Sequence, residues 1–214
     1  MAAKSRKRAC GLIPLKKFVY LISPNKININ FYNELDSVLS YGNVKFFQLR
    51  LKKIKLKDLI KISDKIKKIT LKHKVKFLMN DNYIIAAKSK VDGCHIGQLD
   101  GSVKLAKKIL KKKILGVTCH DSIILARKAI EYKVNYLAFG SFFKSKLKPD
   151  AKKASLDILK WAKKNVKKPI VVIGGINNSN YKKLIRSGAK YIAISSFIWD
   201  NPKLKPELAI RKFK

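Results

Sequence analysis

The sequence predicts an α/β protein built as a single closed (β/α)8 TIM barrel, and three observations carry that prediction. Short, almost wholly apolar runs alternate with longer, lysine-rich amphipathic stretches. Several of these runs are apolar almost throughout, without the polar alternation of a strand with one wet face, so they read as parallel strands covered on both sides. The first run is followed by Ser23-Pro24-Asn25 rather than by the glycine fingerprint of an open doubly wound sheet. The count of strand–helix units then fits a closed barrel at the small end of its size range.

In chain order, the strands are expected at 18–22, 45–49, 75–79, 91–96, 114–118, 136–139, 170–173 and 191–195. Between the second and third, residues 56–71 show a helical stripe of Leu59, Ile60, Ile62, Ile66 and Ile69, with lysines on the other side. Asp121 and Ser122 can start a helix ahead of Ile124, Leu125, Ala129 and Ile130, and Asn177 to Ser179 can start another. Gly188 stands where a helix should stop before the last strand. The catalytic domain is expected to span 17–214. Residues 1–16, with Lys4, Arg6, Lys7 and Arg8, read as a basic, mobile extension.

Composition narrows the function classes. The 214 residues hold 50 basic and 13 acidic side chains, for a formal charge of +37. That charge attracts polyanions, yet only six of the bases are arginine, the residue that reads guanine and grips phosphate by its fork. Lysines spread evenly along the chain read as solvated faces, so no specific nucleic-acid partner is expected. No apolar run approaches the roughly 18 residues of a membrane span. The stretch 10–15 is too short and broken for a signal-peptide core. Cys10, Cys94 and Cys119 have neither disulfide parity nor metal spacing, so a reducing cytoplasm is the expected setting.

Barrel enzymes build their sites at the C-terminal ends of the strands. The second strand delivers Gln48, Arg50 and Lys52 there. The third delivers Asn80 and Asp81, the fourth His95, Gln98 and Asp100, and the fifth Thr118 and His120. The sixth leads through Gly140 and Ser141 into a basic loop with Ser145, Lys146 and Lys148. The seventh ends in Gly174-Gly175 and the eighth in Ser195-Ser196. Lysine bias does not explain such a concentration of polar and glycine residues at strand ends.

Gly174-Gly175 ahead of a helix start, beside Ser195-Ser196, matches a barrel phosphate cup made of backbone N–H groups and hydroxyls. Tight strand-to-helix turns also use glycine for its own sake. Asp81 and Asp100 end adjacent strands in a chain poor in acids. Paired hard oxygens beside Arg50, Lys52 and Lys148 suggest Mg²⁺ bridging a diphosphate. Spacing alone equally allows Asp81 to cap the following helix and Asp100 to close a surface turn. His95 reads as a satisfied core histidine or a rim group, His120 as better placed for chemistry, and His73 as solvated. Cys119 beside His120 is discounted as a nucleophile with its base, because adjacent residues on an extended segment point apart.

Together these residues carry a resemblance. The ordered set QLRLK (48–52), ND (80–81), DGCHIGQLD (92–100), GVTCH (116–120), VIGGI (172–176) and GAKYIAISSFI (188–198) resembles the thiamine-phosphate synthase family, and the match runs in order from residue 18 to 198. The resemblance implies a transferase that joins hydroxymethylpyrimidine diphosphate to thiazole phosphate and releases diphosphate, with Mg²⁺ as cofactor. Its partners would be these small molecules, with no membrane, and a homo-oligomer is compatible with the sequence.

By position, the resemblance assigns Gln48, Arg50, Lys52 and Asn80 to the pyrimidine diphosphate and Asp81 and Asp100 to Mg²⁺. Thr118 stands where the family usually has serine. Lys148 matches the loop lysine on the leaving diphosphate, and Gly175, Ser195 and Ser196 would take the thiazole phosphate. Arg50, Lys52, Thr118 and Lys148 would act in catalysis, and Ser145, Lys146 and Leu147 would also contact substrate. The loop departs from the family's GPxxxTxTK: GSFFKSKLK (140–148) puts Ser141 for the proline and Leu147 for the second threonine. Lys144 and Lys146 could compensate by charge. Two other readings are a related thiazole tautomerase, which would work through a histidine such as His120 and need no metal pair, and a non-catalytic phosphate- or polyanion-binding barrel.

Overall fold

The computed structural model describes residues 16–52, 54–144 and 153–214. Eight parallel strands close into one barrel in sequence order. The strands are β1 (Val19–Ile22), β2 (Val44–Leu49), β3 (Lys76–Asn80), β4 (Gly93–Ile96), β5 (Ile114–His120), β6 (Tyr136–Phe139), β7 (Ile170–Ile173) and β8 (Tyr191–Ile194). β8 closes on β1 through Val19↔Ile192, Tyr20↔Ala193 and Leu21↔Ile194. The connecting helices are α1 (Phe31–Ser40), α2 (Leu56–Lys72), α3 (Tyr83–Lys88), α4 (Val103–Leu110), α5 (Ile123–Glu131), α6 (Leu156–Asn165) and α7 (Tyr181–Arg186). The short α8 (Ser196–Trp199) and α9 (Pro206–Ala209) follow β8. The basic extension falls outside the described residues except for Lys16.

All eight expected strands are present, with ends shifted by at most two residues. β4 starts later than its apolar run because Asp92 serves as an anchor: its carboxylate accepts from Phe77 N at 2.9 Å and pairs with Lys67 at 2.7 Å. β5 runs further, to His120, and its register against β6 shifts between Thr118 and His120. Such a bulge re-aims side chains at a barrel rim. Ser102, Ser122 and Ser155 cap α4, α5 and α6 by accepting backbone N–H groups of the first turn. The helix expected to start within Asn177 to Ser179 begins instead at Tyr181. The Asn177 side chain accepts from Ser179 N and Asn180 N, which makes a separate turn before the helix.

The α2 stripe needs one correction. Ile66 is fully buried and Leu59, Ile62 and Ile69 pack on the core, but Ile60 is 45% exposed. At about 100° per residue, position 60 lies about 120° around the helix from position 66, beyond the buried face. Ser63 and Thr70 take the buried places instead. Ile124 of α5 is likewise exposed, and Ala126 and Ala129 carry that contact.

Alternation along the strands divides the core in two. Val19, Leu21, Phe47, Leu49, Phe77 and their neighbours pack outward against the helices. Tyr20, Ile22, Phe46, Leu78, Tyr136, Ala138, Val171, Tyr191 and Ala193 fill the barrel itself. The Phe46 ring centroid lies 5.5 Å from Tyr20, 5.7 Å from Tyr136 and 5.2 Å from Tyr191, an aromatic floor where barrels more often stack aliphatic residues. Phe46→Ala is expected to cost about 3–5 kcal/mol, as for a large side chain removed from a close-packed core. Guanidinium unfolding measures it, and a cost below about 1 kcal/mol would mean that the floor is loosely packed.

Candidate active site

The strand ends enclose a cavity of about 320 Å³. A second cavity, about 270 Å³ between α2 and α3, has mainly apolar walls including Leu56, Ile60, Ile85 and Val91, and brings none of the predicted site residues together. The rim cavity gathers every predicted site residue that the structure describes. Ser145, Lys146, Leu147 and Lys148 lie outside the described residues.

One wall comes from β2 and β3. Gln48 is buried, and its amide donates to Asn80 Oδ1, which leaves the amide N–H groups of Asn80 for an acceptor in the cavity. Arg50 is held by the loop after β1. Its backbone N–H donates to Ser23 Oγ at 2.9 Å and its guanidinium to Asn25 Oδ1 at 3.1 Å. Asn25 thus belongs to the site's frame, and its only sequence signal is its place just beyond a barrel strand. Lys52 sits exposed at the mouth.

Asp81 and Asp100 meet. Asn82, rather than Asp81, caps α3 by accepting from Ile85 N at 2.9 Å. Asp81 takes a left-handed backbone conformation, φ +63°, which aspartate tolerates better than most residues. Asp100 does close a turn, with one carboxylate oxygen accepting from Gly97 N at 2.7 Å, but its carboxyl also lies against Asp81. Burial pushes the Asp81 carboxyl up to about 6, and the hydrogen bond and negative charge of Asp100 push the same way. Arg50 and Lys52 oppose the rise without cancelling it. A raised carboxyl destabilises the fold progressively as pH climbs toward 6 and does so fully at neutral pH.

The chemistry of this pair, two hard oxygen donors side by side, suits a cation. No cluster of three metal-ligating side chains occurs among the described residues. Two carboxylates suit Mg²⁺, which commonly takes one or two of them and completes its shell with substrate phosphate and water.

On the far side of the barrel, Gly174 and Gly175 have φ of +105° and +57°. A Cβ at Gly174 would lie 1.9 Å from Ser141 Oγ, and one at Gly175 would lie 2.3 Å from the Lys144 carbonyl oxygen. Only glycine lets this turn lie against the segment after β6. Asn180 Nδ2 pins the turn by donating to the Gly175 carbonyl at 3.0 Å. Ser195 lines the cavity, but its hydroxyl donates to the Ser23 carbonyl at 3.0 Å, so its proton ties β8 to the loop after β1. Ser196 opens the short α8, where Ile198 N and Trp199 N donate to the Ser195 carbonyl at 2.9 and 3.1 Å.

Thr118 and His95 complete the lining, and His95 Nε2 lies 2.8 Å from Thr118 Oγ1. Gln98 donates to the Thr118 carbonyl. His120 is exposed at the rim with φ +51°. Cys119 faces the outer core, where burial pushes its thiol up to about 12, which agrees with discounting it as a nucleophile. His73 is not solvated as expected. Its side chain is 13% exposed and contacts Asp36 Oδ1 at 2.7 Å.

The family model described as "Thiamine monophosphate synthase" matches residues 19–198. A thiamine-phosphate synthase of Pelagibacter ubique is 57% identical over 200 residues, covering 93% of this chain and 97% of that protein. One from Erythrobacter litoralis is 39% identical over 186 residues, covering 85% and 87%. Among solved structures, a thiamine phosphate pyrophosphorylase from Pyrococcus furiosus superposes with a TM-score of 0.81 at 25% identity, over 91% of this chain and 92% of its own. No helix among the described residues is long and apolar enough to cross a membrane. With a family match through nearly the whole barrel and a close relative spanning nearly the whole chain, this protein belongs to the thiamine monophosphate synthase family.

Proposed function

We infer that this chain condenses hydroxymethylpyrimidine diphosphate with thiazole phosphate to give thiamine phosphate and diphosphate. The observation that carries the reading is the meeting of Asp81 and Asp100 beside Arg50 and Lys52, across one cavity from the Gly174-Gly175 turn. One side suits a diphosphate with a cation, the other a single phosphate held by backbone N–H groups. A tautomerase would have no use for the carboxylate pair.

The C–O bond of the pyrimidinylmethyl diphosphate breaks and its electron pair leaves with diphosphate. The delocalised carbocation is captured by the lone pair of the thiazole nitrogen, forming the C–N bond. Arg50 and Lys52 stabilise the charge that develops on the leaving group, and Asn80 offers N–H groups to the same substrate. The Gly174-Gly175 turn and Ser196 hold the second phosphate so that the nitrogen faces the carbon in line. Ile22, Ile173 and Ile176 line the cavity and exclude the water that would otherwise trap the cation. Mg²⁺ held by Asp81 and Asp100 would supply further neutralisation of diphosphate oxygens. No covalent nucleophile is needed. The reading includes a cytoplasmic setting, supported by Cys94 and Cys119 as buried thiols outside any disulfide.

The test is to incubate the protein with both substrates and Mg²⁺ and measure thiamine phosphate and diphosphate, expected in equal amounts. Binding of both substrates without product would sink the reading. The metal has a test of its own. At pH 7.5, Mg²⁺ should raise the Tm of the protein and leave that of Asp100→Asn unmoved, as scanning calorimetry would show. Equal shifts in both proteins would remove Asp100 from the metal site.

A further inference from the structure

A hydrogen-bonded chain runs from inside the barrel to the cavity. Tyr20 Oη and Tyr136 Oη lie 2.8 Å apart, Tyr136 Oη lies 2.8 Å from His95 Nδ1, and His95 Nε2 lies 2.8 Å from Thr118 Oγ1. The His95 ring stacks on Tyr136 at 5.6 Å and 14°. Space for this arrangement comes from β5: a Cβ at Gly116 would lie 1.8 Å from the Tyr136 ring and 2.2 Å from its hydroxyl. Neither tyrosine lines the cavity. Burial holds both phenols well above their ordinary pKa, so each keeps its proton.

The hydrogens fix a direction. Tyr20 is completely buried, and Tyr136 is its only hydrogen-bond partner among the described residues. An orphaned buried O–H is costlier than an unused lone pair. Tyr20 must therefore donate to Tyr136, and Tyr136 to His95 Nδ1. The imidazole then carries its proton on Nε2 and donates to Thr118 Oγ1. If the chain ran the other way, the Tyr20 hydrogen would have no acceptor. If both Tyr20 and His95 donated to Tyr136, its own hydrogen would have none.

We infer that Tyr20, Tyr136 and His95 are positioning residues that lock the Thr118 hydroxyl as a hydrogen-bond donor into the cavity, aimed at an acceptor atom of the pyrimidine diphosphate. Thr118 oxygen is saturated on the His95 side as an acceptor, so its hydrogen is left for the substrate. Its β-branched side chain adds a restricted χ1. The catalytic role rests on the synthase reading above; the tautomer does not.

Two measurements test this. In ¹⁵N-histidine-labelled protein without substrates, with His95 assigned by His95→Gln, the His95 resonances should report a bare Nδ1 and a protonated Nε2. Tyr136→Phe should shift that tautomer. A wild-type His95 protonated on Nδ1 would overturn the inference whatever the enzyme catalyses. In turnover, Tyr136→Phe should lower kcat about tenfold, the effect of one neutral hydrogen bond lost from the transition state, with KM for thiazole phosphate unchanged. Introduced into Thr118→Val, the same change should lower kcat no further. An undiminished tenfold loss in that background would show that Tyr136 acts by another route. A wild-type protein with the expected tautomer but no turnover would refute the synthase reading and leave the hydrogen-bonded chain standing.

Discussion

Asp81→Asn is expected to lower kcat/KM for the pyrimidine diphosphate by roughly 10²- to 10³-fold, the scale on which a preorganised electrostatic group acts on developing charge. The substitution keeps size and shape and removes one charge from the carboxylate pair. Stability should move the other way. Folding raises the Asp81 carboxyl to about 6, so its ionised form destabilises the protein at neutral pH, and the neutral amide relieves that cost. Without Mg²⁺ at pH 7.5, the variant should therefore melt at or above the wild-type temperature. Steady-state kinetics and calorimetry on the same sample check both halves. Activity within threefold of wild type would remove the carboxylate pair from the reaction.

Gly174→Ala should damage both the fold and the thiazole-phosphate side. The backbone there has φ +105°, and the added Cβ would meet Ser141 Oγ at 1.9 Å and Ser141 Cα at 2.6 Å. Holding alanine in such a conformation costs about 1–3 kcal/mol, and the clash adds to it by pushing the turn off the segment after β6. Gly42→Ala is the matched control, because Gly42 also has positive φ, +89°, but a Cβ there meets nothing within 4 Å. Urea denaturation should rank Gly174→Ala well below Gly42→Ala. Only Gly174→Ala should raise KM for thiazole phosphate, by about tenfold, the equivalent of about 1.4 kcal/mol. Equal KM values in the two variants would show that the turn does not hold that substrate.

The barrel was legible because short apolar runs and period-3.6 stripes survive even a heavy excess of lysine. Ile66 and Leu59 declare the inward face of α2. Ile60 misleads because an apolar side chain on the flank of a stripe looks like one within it. Ser63 and Thr70 are buried without an apolar signal. The rim was legible because its residues sit at or just past the C-terminal ends of strands, as Gln48, Asn80 and Asp81 do.

What spacing could not give was the choice between partners far apart in the chain. Asp81 and Asn82 are both competent helix caps, and only the backbone at 81–85 shows that Asn82 takes the task. Nothing in the spacing shows that the Ser195 hydroxyl donates to the Ser23 carbonyl, which only the loop after β1 brings to it. His95 could not be sorted between core and rim because it is both. Its two nitrogens reach Tyr136 and Thr118, 41 and 23 residues away.

The aromatic floor has a consequence for traffic. With Phe46 wedged among Tyr20, Tyr136 and Tyr191, the barrel is plugged below the cavity and offers no back door. Among the described residues the cavity lies at the rim end of that plug, so substrates and products exchange on the rim side. Whichever molecule sits deeper has to arrive first and depart last, so queueing on that side imposes an order on the reaction that no residue at the reacting atoms has to enforce.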